Sequence, residues 1–578
     1  MEREDYTARM KAMLTDETTY EKIKRDPTST FQARNNNLVR RLQNLDLIDR
    51  STATQLITYK AVCPRIYGQP KPHKPNMPLR PVVPCMTAPT YHLSKFIGNI
   101  IQSSITSKYN IKDSFEFCAF INNVQIPEGH IMVSFDVVSL FTCIPKELVR
   151  RSIFKNWVNI TQNTTICLDL FWEAVELCID CSYFVFEGEY YKQVFGTAMG
   201  NPLSPVIADL VMEDILNDAV ENTGFPIPYI KKYVDDLFLV LPPSKIDEVR
   251  EIFNQQHTSI KFTVETETDG RLPFLDMMLI RKEDHTVVTE WYAKPVASGR
   301  ILNYYSCHPM HTKMNVAVNF AKRVFQLSTN LESSAINSII HDRLKQNDYP
   351  KQITSRIITR INRRVTPNTA MEVSVEDTGE KCFRSLTNID GLTEQITKTI
   401  RKEYPNIHIA HKQAKTVGSI LPMVKDRISQ GEKSNVVYRI DCADCDACYI
   451  GMTTTKLKST LSGHRSNVRK LQKLREEGHT NRDGAIAEIR EKTALVNHAA
   501  AMEHSFKLDE VVIVDKTHKS TNLQFLESCH IYNTEKTVNK RSDTENLHAT
   551  YAGILHTFKN AQNRTKTNHT NRPNTNRP

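Results

Sequence analysis

The sequence predicts an α+β protein with several domains, and three observations lead to this prediction. The chain has 578 residues, more than one hydrophobic core usually organises. Short apolar runs bounded by turn-forming residues predict antiparallel strands in the first half, and apolar residues with a helical period follow them. Two more short strands, separated by a cysteine-rich turn, follow Asn435 and predict a second, small mixed α/β domain.

The basic residues of the chain are unevenly distributed. The formal net charge of +10 is modest for this length, but the segment 556–578 has basic residues and no Asp or Glu. We expect this tail to lack a fixed structure and to bind polyanions. Because no apolar run is long enough for a membrane helix and the start is not a signal peptide, we expect an intracellular protein without a membrane partner.

Two adjacent aspartates, Asp235 and Asp236, lie between apolar runs at residues 229–230 and 237–241, which predicts a hairpin with both carboxylates at its bend. A third aspartate, Asp136, ends an apolar run a hundred residues earlier. Two unpaired carboxylates about 4 Å apart repel by about 1 kcal/mol in water and about 4 kcal/mol near a protein surface. Bound cations would remove this repulsion, so the pattern predicts a metal site.

Neither Asp136 nor the next motif is strong evidence in isolation. An apolar strand that ends in Asp is more often a strand and its turn than a metal site. The segment 193–205 is rich in small residues and precedes a predicted helix at residues 206–216. Gly196 and Gly200 allow the backbone to approach a flat ligand closely, although a glycine-rich turn before any helix is the simpler explanation.

Three motifs in this order, Asp136-x4-Phe141, Gly196-x3-Gly200-x-Pro-Leu-Ser-Pro and Tyr233-x-Asp-Asp, resemble the palm of a reverse transcriptase. Further segments resemble the polymerases of Penelope-like retroelements; they are residues 64–74, 79–83, 272–276 and 291–295. The resemblance covers most of the chain and is strongest from residue 64 to residue 295. It implies a right-hand polymerase with partial fingers, an antiparallel-sheet palm and a helical thumb.

The resemblance also implies roles for individual residues. Asp136 and Asp235 would hold two Mg²⁺ ions about 3.5 to 4 Å apart, and Asp236 would support catalysis. The residues implied to contact substrate are Arg80 at the phosphates, Phe141 as a gate against the ribose 2′-hydroxyl, and Gln193, Gly196 and Met199 beside the nascent base pair. The implied partners are template RNA, primer or target DNA, and deoxynucleoside triphosphates (dNTPs).

A basic helical segment begins at Lys351, after the predicted palm. Ile353, Ile357 and Ile361 recur every four residues. The arginines that fall largely off this stripe are Arg356, Arg360, Arg363 and Arg364. A solvated charged face is the ordinary explanation, but because the segment follows a palm we expect it to contact the sugar-phosphate backbone of nucleic acid.

The two strands that follow Asn435 carry Tyr438 and Tyr449, and they resemble the core of a GIY-YIG nuclease. Glu527, in a predicted helix, and Asn539 match the metal-binding glutamate and the terminal asparagine of that family. The resemblance implies that both tyrosines and Glu527 are catalytic and that Glu527 binds one cation, Mg²⁺.

The sequence departs from this family at both arginine positions, which hold Thr455 and Thr460. Loss of one preorganised stabiliser of developing charge typically lowers a rate by about 10² to 10³, and a threonine hydroxyl cannot replace a guanidinium group. We therefore expect a weak or inactive nuclease unless Lys458 or Arg465 reaches the site.

Cys442-x-x-Cys445 and His498-x5-His504 offer two thiolates and two imidazoles at spacings compatible with tetrahedral zinc. A lone Cys-x-x-Cys is weak evidence, but Penelope-like nucleases carry such a set, so the resemblance implies a structural Zn²⁺ site. Cys448 is a further candidate ligand. We expect removal of zinc to unfold this small module.

These observations predict six segments: fingers at 1–90, shortened at the N-terminus; a palm at 91–300; a thumb at 301–375; a connector at 376–433; a nuclease-like domain at 434–550; and a basic tail at 551–578. The leading hypothesis is an RNA-directed DNA polymerase of a Penelope-like retrotransposon with a fused GIY-YIG endonuclease-like domain. It would act in the nucleus because its target would be chromosomal DNA. The alternatives are an inactive copy that only binds nucleic acid and a metal-bound structural module; the oligomeric state stays open.

Overall fold

The computed structural model describes residues 1–72, 76–365, 381–389, 391–413, 425–476, 482–517, 520–545, 547–548 and 550–557. The chain forms two compact units. The first comprises Met1–Pro27, Ala33–Leu56 and Cys63–Lys425, and the second comprises Thr28–Gln32, Ile57–Val62 and Asp426–Pro578. From residue 558 onward, the predicted basic tail lies outside the described residues.

The first 121 residues are mostly helical. Their helices and strands, in chain order, are α1 (Arg3–Leu14), β1 (Tyr20–Ile23), α2 (Thr28–Asn44), α3 (Arg50–Leu56), β2 (Tyr67–Pro70), β3 (Leu79–Val82), α4 (Tyr91–Ser104) and α5 (Ser114–Ile121). Strands β2 and β3 form an antiparallel hairpin in which Gln69 lies opposite Arg80.

Strands and helices alternate in the next part of the chain. These elements are β4 (Ile131–Val137), α6 (Leu140–Cys143), α7 (Lys146–Lys155), α8 (Trp157–Ile160), α9 (Leu168–Asp180), β5 (Tyr183–Phe186), β6 (Glu189–Gln193), α10 (Ser204–Asn222), β7 (Ile230–Tyr233), β8 (Asp236–Leu241), α11 (Ile246–Gln255), β9 (Phe262–Thr266), β10 (Arg271–Phe274), β11 (Met277–Arg281) and β12 (Val287–Trp291). Together with β1, these strands form three antiparallel sheets, of order β1-β6-β5, β7-β8-β4-β9 and β10-β11-β12.

The four-stranded sheet β7-β8-β4-β9, here called the central sheet, is covered on both faces. Phe135 on one face contacts Phe253 of α11, with ring centroids 5.6 Å apart. Phe238 on the other face contacts Phe117 of α5 at 5.2 Å. Covering on both faces explains why β8 is an uninterrupted apolar run rather than an alternating one. The predicted hairpin and the predicted helix after residue 205 are both confirmed, as β7-β8 and α10.

Three helices follow the strands: α12 (Met310–Leu327), α13 (Ser333–Gln346) and α14 (Lys351–Val365). They share a hydrophobic core that includes Ile357 and Ile361, with Ile353 packed against it. Arg356 and Arg360 are exposed, as the helical period predicts. The side chains of Arg363 and Arg364 lie outside the described residues.

The predicted connector contains a small folded module. Its elements are β13 (Cys382–Thr387), α15 (Leu392–Glu403) and β14 (Ile407–Lys412). Strands β13 and β14 are parallel, with Phe383 opposite His408.

The second unit is a mixed α/β fold. Its main elements are β15 (Val436–Asp441), β16 (Cys448–Thr453), α16 (Leu457–Glu476), α17 (Arg482–Lys492), α18 (Ala494–Met502), β17 (Val512–Lys516) and α19 (Leu523–Asn533). The strands form an antiparallel sheet of order β16-β15-β17. No helix in the described ranges of either unit combines the length and apolar character required to cross a membrane.

Candidate active sites and metal cluster

The central sheet brings the three predicted aspartates together. Asp136 of β4 lies directly opposite Asp236 of β8 in the antiparallel register, which places their Cβ atoms about 4.5 to 5.5 Å apart. Asp235 precedes Asp236 in the turn between β7 and β8. Like charges directly opposite one another destabilise a sheet. A nearby positive charge would therefore stabilise this arrangement.

The turn that carries Asp235 is strained. Val234 has a φ of +58°, a conformation in which a β-branched residue is a genuine outlier. Such strain costs about 1 to 3 kcal/mol and persists only where the surrounding structure enforces it, most often at functional sites. Local sequence pattern predicts the hairpin but gives no signal for this strain.

The pKa of Asp236 reflects the closeness of the other two aspartates. Burial, followed by the charges of Asp235 and Asp136, raises the pKa of Asp236 to about 6, whereas Lys294 opposes the increase. Lys294 lies in the segment 291–295 that carries part of the family resemblance, but no sequence pattern assigns it a role. A bound cation would favour the ionised form of all three carboxylates.

A buried ion pair beneath the hairpin was also missed from sequence. Lys232 of β7 is fully buried and pairs with Asp209 of α10. The side-chain amide of Asn110 donates to both carboxylate oxygens of Asp209 at 3.3 Å. Since an unpaired buried charge is strongly destabilising, this pair fixes β7 against α10. A lysine beside an apolar run carries no sequence signal for such burial.

The loop after β6 packs against the segment that follows Asp136. Thr197 donates its backbone N–H and its hydroxyl to the carbonyl oxygen of Phe141, at 2.6 and 2.9 Å. Gly196 has a φ of +74°, and a Cβ there would lie 2.4 Å from the carbonyl oxygen of Thr142. Only glycine fits this approach without displacement of the loop.

The same loop contacts the strand that carries Arg80. The backbone N–H of Val83 donates to the carbonyl oxygen of Met199 at 2.8 Å, and a Cβ on Gly200 would lie 2.4 Å from the carbonyl oxygen of Val83. Arg80, two residues before the end of β3, is exposed.

Gln193 is the last residue of β6, and its side chain is buried. Its side-chain amide donates to the carbonyl oxygen of Phe195 at 2.9 Å. Gln193 therefore stabilises the start of the loop, whereas Phe141 and Met199 are partly exposed.

A second cluster lies on the sheet of the second unit. The hydroxyl of Tyr438 and Nε2 of His464 are 2.8 Å apart, and the ring of Tyr449 lies 5.6 Å from that of His464. Burial, followed by Tyr449 and Glu527, raises the pKa of Tyr438. Burial is also the main cause that raises the pKa of Glu527 to about 7. The structure thus brings together Tyr438, Tyr449 and Glu527, and it adds His464.

The two threonines at the family's arginine positions are bonded to a third threonine. Thr453 lies 2.7 Å from Thr460 and 3.1 Å from Thr455, measured between hydroxyl oxygens. The two basic residues that could compensate bind elsewhere, since Lys458 pairs with Glu432 and Arg465 pairs with Asp509 at 2.6 Å.

Asn539 clamps the second strand of this cluster. Its side-chain oxygen accepts from the backbone N–H of Ile450 at 2.9 Å, and its amide donates to the carbonyl oxygen of Ile450 at 2.8 Å. Asn539 therefore fixes β16 next to Tyr449 by two backbone hydrogen bonds.

Four predicted metal ligands converge in the second unit. The atoms that Cys442, Cys445, His498 and His504 offer all lie within 4.8 Å of one another. Sγ of Cys442 lies 3.7 Å from Nε2 of His498, and the facing nitrogens of the two histidines are 3.2 Å apart. A tetrahedral site with Zn–S of about 2.3 Å and Zn–N of about 2.0 Å requires similar separations, so these residues fit zinc.

The cluster is braced by its surroundings, and Cys448 is not part of it. Asp444, between the two cysteines, accepts from the backbone N–H and the hydroxyl of Ser505 at 2.6 and 2.8 Å. This contact ties the cysteine turn to the segment that carries His504. The Cys448 side chain is buried in β16.

Comparison with known proteins gives one family match. Residues 300–359 match the family described as the animal helix-turn-helix domain; this range includes α12, α13 and the first part of α14. No curated protein matches the chain.

Several solved polymerases are similar at low level. An apo telomerase from Candida tropicalis truncated from its C-terminal domain is 12% identical with a TM-score of 0.33, over 41% of this chain and 56% of that chain. The RNA-dependent RNA polymerase of a human picobirnavirus is 11% identical with a TM-score of 0.34, over 59% of this chain and 74% of that chain. A foamy viral protease-reverse transcriptase in complex with double-stranded DNA is 12% identical with a TM-score of 0.30, over 59% of this chain and 61% of that chain. The chain thus spans little more than half the length of that telomerase. These values are too low to carry a functional argument, which rests on the site geometry.

Proposed function

We propose that this chain is an RNA-directed DNA polymerase of a Penelope-like retroelement, with a fused GIY-YIG endonuclease-like domain. The observation that carries the proposal is the meeting of Asp136, Asp235 and Asp236 at one end of the central sheet. All three offer carboxylate oxygens, the ligand type that Mg²⁺ prefers.

Asp136 and Asp235 are the ligands that would hold the two ions of nucleotidyl transfer, and Asp236 would tune their charge. Bound Mg²⁺ would activate the primer 3′-hydroxyl and neutralise the triphosphate. The buried pair between Lys232 and Asp209 holds the hairpin in place. Positioning of this kind matters because a displacement of about 1 Å in an active site can lower a rate about 100-fold.

The loop after β6 supplies the shape of the substrate pocket. Its hydrogen bonds to Phe141 fix the residue proposed to exclude the ribose 2′-hydroxyl, and its contact with Val83 joins it to the strand of Arg80. Arg80 is exposed and would bind the triphosphate through its planar fork of donors. One loop therefore connects the sugar gate and the phosphate-binding strand.

The helices α12 to α14 would bind the nucleic-acid backbone as a thumb. Arg356 and Arg360 are exposed on α14, and cations on a helix face attract phosphates without reading sequence. The match of residues 300–359 to a helix-turn-helix family is compatible with a nucleic-acid contact here.

The second unit would be an impaired endonuclease held together by zinc. Tyr438, Tyr449 and Glu527 would support metal-assisted hydrolysis, but the arginine positions hold threonines that bond to Thr453. Without a guanidinium, the developing phosphorane charge has no fixed cationic partner from these positions. Glu527 would hold one Mg²⁺, and the cysteine-histidine cluster would hold one structural Zn²⁺.

Primer extension on an RNA template with dNTPs tests the polymerase proposal. Asp235→Ala should lower the rate by about 10³, because a catalytic metal contributes several kcal/mol. Asp247→Ala is the matched control, since Asp247 is an exposed aspartate on α11 and its loss should leave extension unchanged. Magnesium-dependent extension that survives Asp235→Ala would contradict the assignment.

The alternative function is nucleic-acid binding without catalysis. If the wild-type chain binds an RNA-DNA duplex but does not extend the primer with Mg²⁺ or Mn²⁺, the chain is an inactive copy. This alternative is distinguished by measuring binding and extension on the same labelled duplex.

A further inference from the structure

In the part of the chain that the structure describes, the sheet of the module β13, α15 and β14 has one face covered by a helix and one face that is largely exposed. Helix α15 covers the first face, where the hydroxyl of Thr397 lies 2.9 Å from Nε2 of His411. The hydroxyl of Thr393 donates to the carbonyl oxygen of Thr387 at 2.8 Å, which holds the helix against the end of β13. Parallel strands are usually covered on both faces, so the other face is unusual.

The parallel register defines the open face. Alternate residues of a strand point to the same side, and the pairs Phe383–His408, Ser385–Ala410 and Thr387–Lys412 therefore share it. We call these six residues the open face. Phe383 is 65% exposed, although burial of a phenylalanine side chain is strongly favourable.

The chemistry of the open face is that of a nucleic-acid platform. The rings of Phe383 and His408 are stacked, with centroids 5.2 Å apart and an interplanar angle of 29°. In a stacked pair the outer face of each ring remains as a surface on which a base can stack. Lys412 lies at the far end of the face. It follows His408 by four residues in β14, which separates the two by about 13 Å along the strand.

Charge around the open face also favours a polyanion. Lys412 is exposed and supplies a cation on the open face itself. None of the six residues of the open face is acidic. Ser385 and Thr387 add hydroxyls, which can exchange hydrogen bonds with the 2′-hydroxyl that only RNA carries.

We propose that the open face binds single-stranded RNA. Bases stack on Phe383 and His408, Lys412 binds a flanking phosphate, and the hydroxyls of Ser385 and Thr387 contact ribose. A protein partner fits less well, because Phe383 and Ala410 are the only apolar residues of the six. This surface is separate from nucleotidyl transfer and does not depend on it.

Site-resolved crosslinking on the full chain tests the proposal. An oligouridylate that contains 4-thiouridine is irradiated with the protein, and the crosslinked peptides are mapped. We expect a crosslink in the peptide of Phe383 or of His408. Phe383→Ala should weaken that crosslink and the corresponding RNA affinity about 5- to 100-fold, the usual effect of removing one stacking platform. Leu392→Ala, an equally simple truncation of an exposed apolar residue on α15, should change neither.

Four further results are decisive. Lys412→Glu should also weaken the crosslink and lower the salt dependence of binding. Equal crosslinking in Phe383→Ala and wild type would overturn the proposal, and so would equal capture of the matching deoxyribonucleotide oligomer. Asp235→Ala should retain the crosslink, so failure of the polymerase assignment is distinguishable from failure of this one.

Discussion

Replacing Gly196 by alanine tests whether the loop after β6 shapes the proposed nucleotide pocket. Gly196 has a φ of +74°, so alanine costs about 1 to 2 kcal/mol from the left-handed backbone alone. The new Cβ would also lie 2.4 Å from the carbonyl oxygen of Thr142, about 1 Å short of the 3.4 Å at which ordinary contact begins. The loop must therefore move by about 1 Å, and the hydrogen bonds from Thr197 to Phe141 must move with it.

We expect Gly196→Ala to lower kcat/KM for dNTP incorporation about 100-fold, the usual effect of a 1 Å displacement at an active site. Gly188→Ala is the matched control. Gly188 has a similar φ of +80°, and the part of the chain that the structure describes places no atom within 4 Å of its Cβ position. It should show the backbone cost in unfolding free energy and little change in single-nucleotide incorporation. Equal incorporation by the two variants would refute the reasoning.

Three other predictions follow from the sites. Burial and the charges of Asp235 and Asp136 raise the pKa of Asp236 from 3.8 to about 6. Protonation of Asp236 should therefore stabilise the metal-free protein, fully below about pH 3.8, and this stabilisation should be lost as the pH rises through 6. Asp236→Asn should remove that part of the pH profile of unfolding free energy measured with EDTA; an unchanged profile would contradict it. Cys442→Ser should abolish the binding of one zinc per chain, measured as metal content, and should lower the melting temperature of the second unit. Cys307→Ser, at an exposed cysteine outside the cluster, should change neither the metal content nor the melting temperature. Thr460→Arg should increase plasmid nicking about 10²-fold, and brisk nicking by the unmodified chain would show that the threonines do not impair it.

The strands and helices around the sites were predictable because their signals are local. The apolar runs on both sides of Asp235 define β7 and β8, and Pro205 followed by an apolar period defines α10. Likewise, the isoleucine stripe of α14 follows from a period close to four residues.

The pairing partners could not be predicted from the residues alone. Asp136 and Asp236 are a hundred residues apart, and nothing in either strand specifies that β4 pairs with β8 in the register that sets them opposite. The same applies to Lys232 and Asp209, because a buried ion pair depends on two elements that meet only in the fold.

The contacts of individual side chains were not predictable from the sequence either. Gln193 is buried, and its side-chain amide donates to the carbonyl oxygen of Phe195. The connector at 376–433 was predicted only as a segment, and its short apolar stretches gave no indication that two would form a parallel sheet with an exposed phenylalanine.

The most direct test of the account is to locate Mn²⁺ by anomalous scattering in crystals of the protein soaked with that ion and a dNTP. We predict Mn²⁺ within about 2 Å of carboxylate oxygens of Asp136 and Asp235. Crystals that bind the dNTP but show no metal between these two aspartates would contradict the proposed polymerase site.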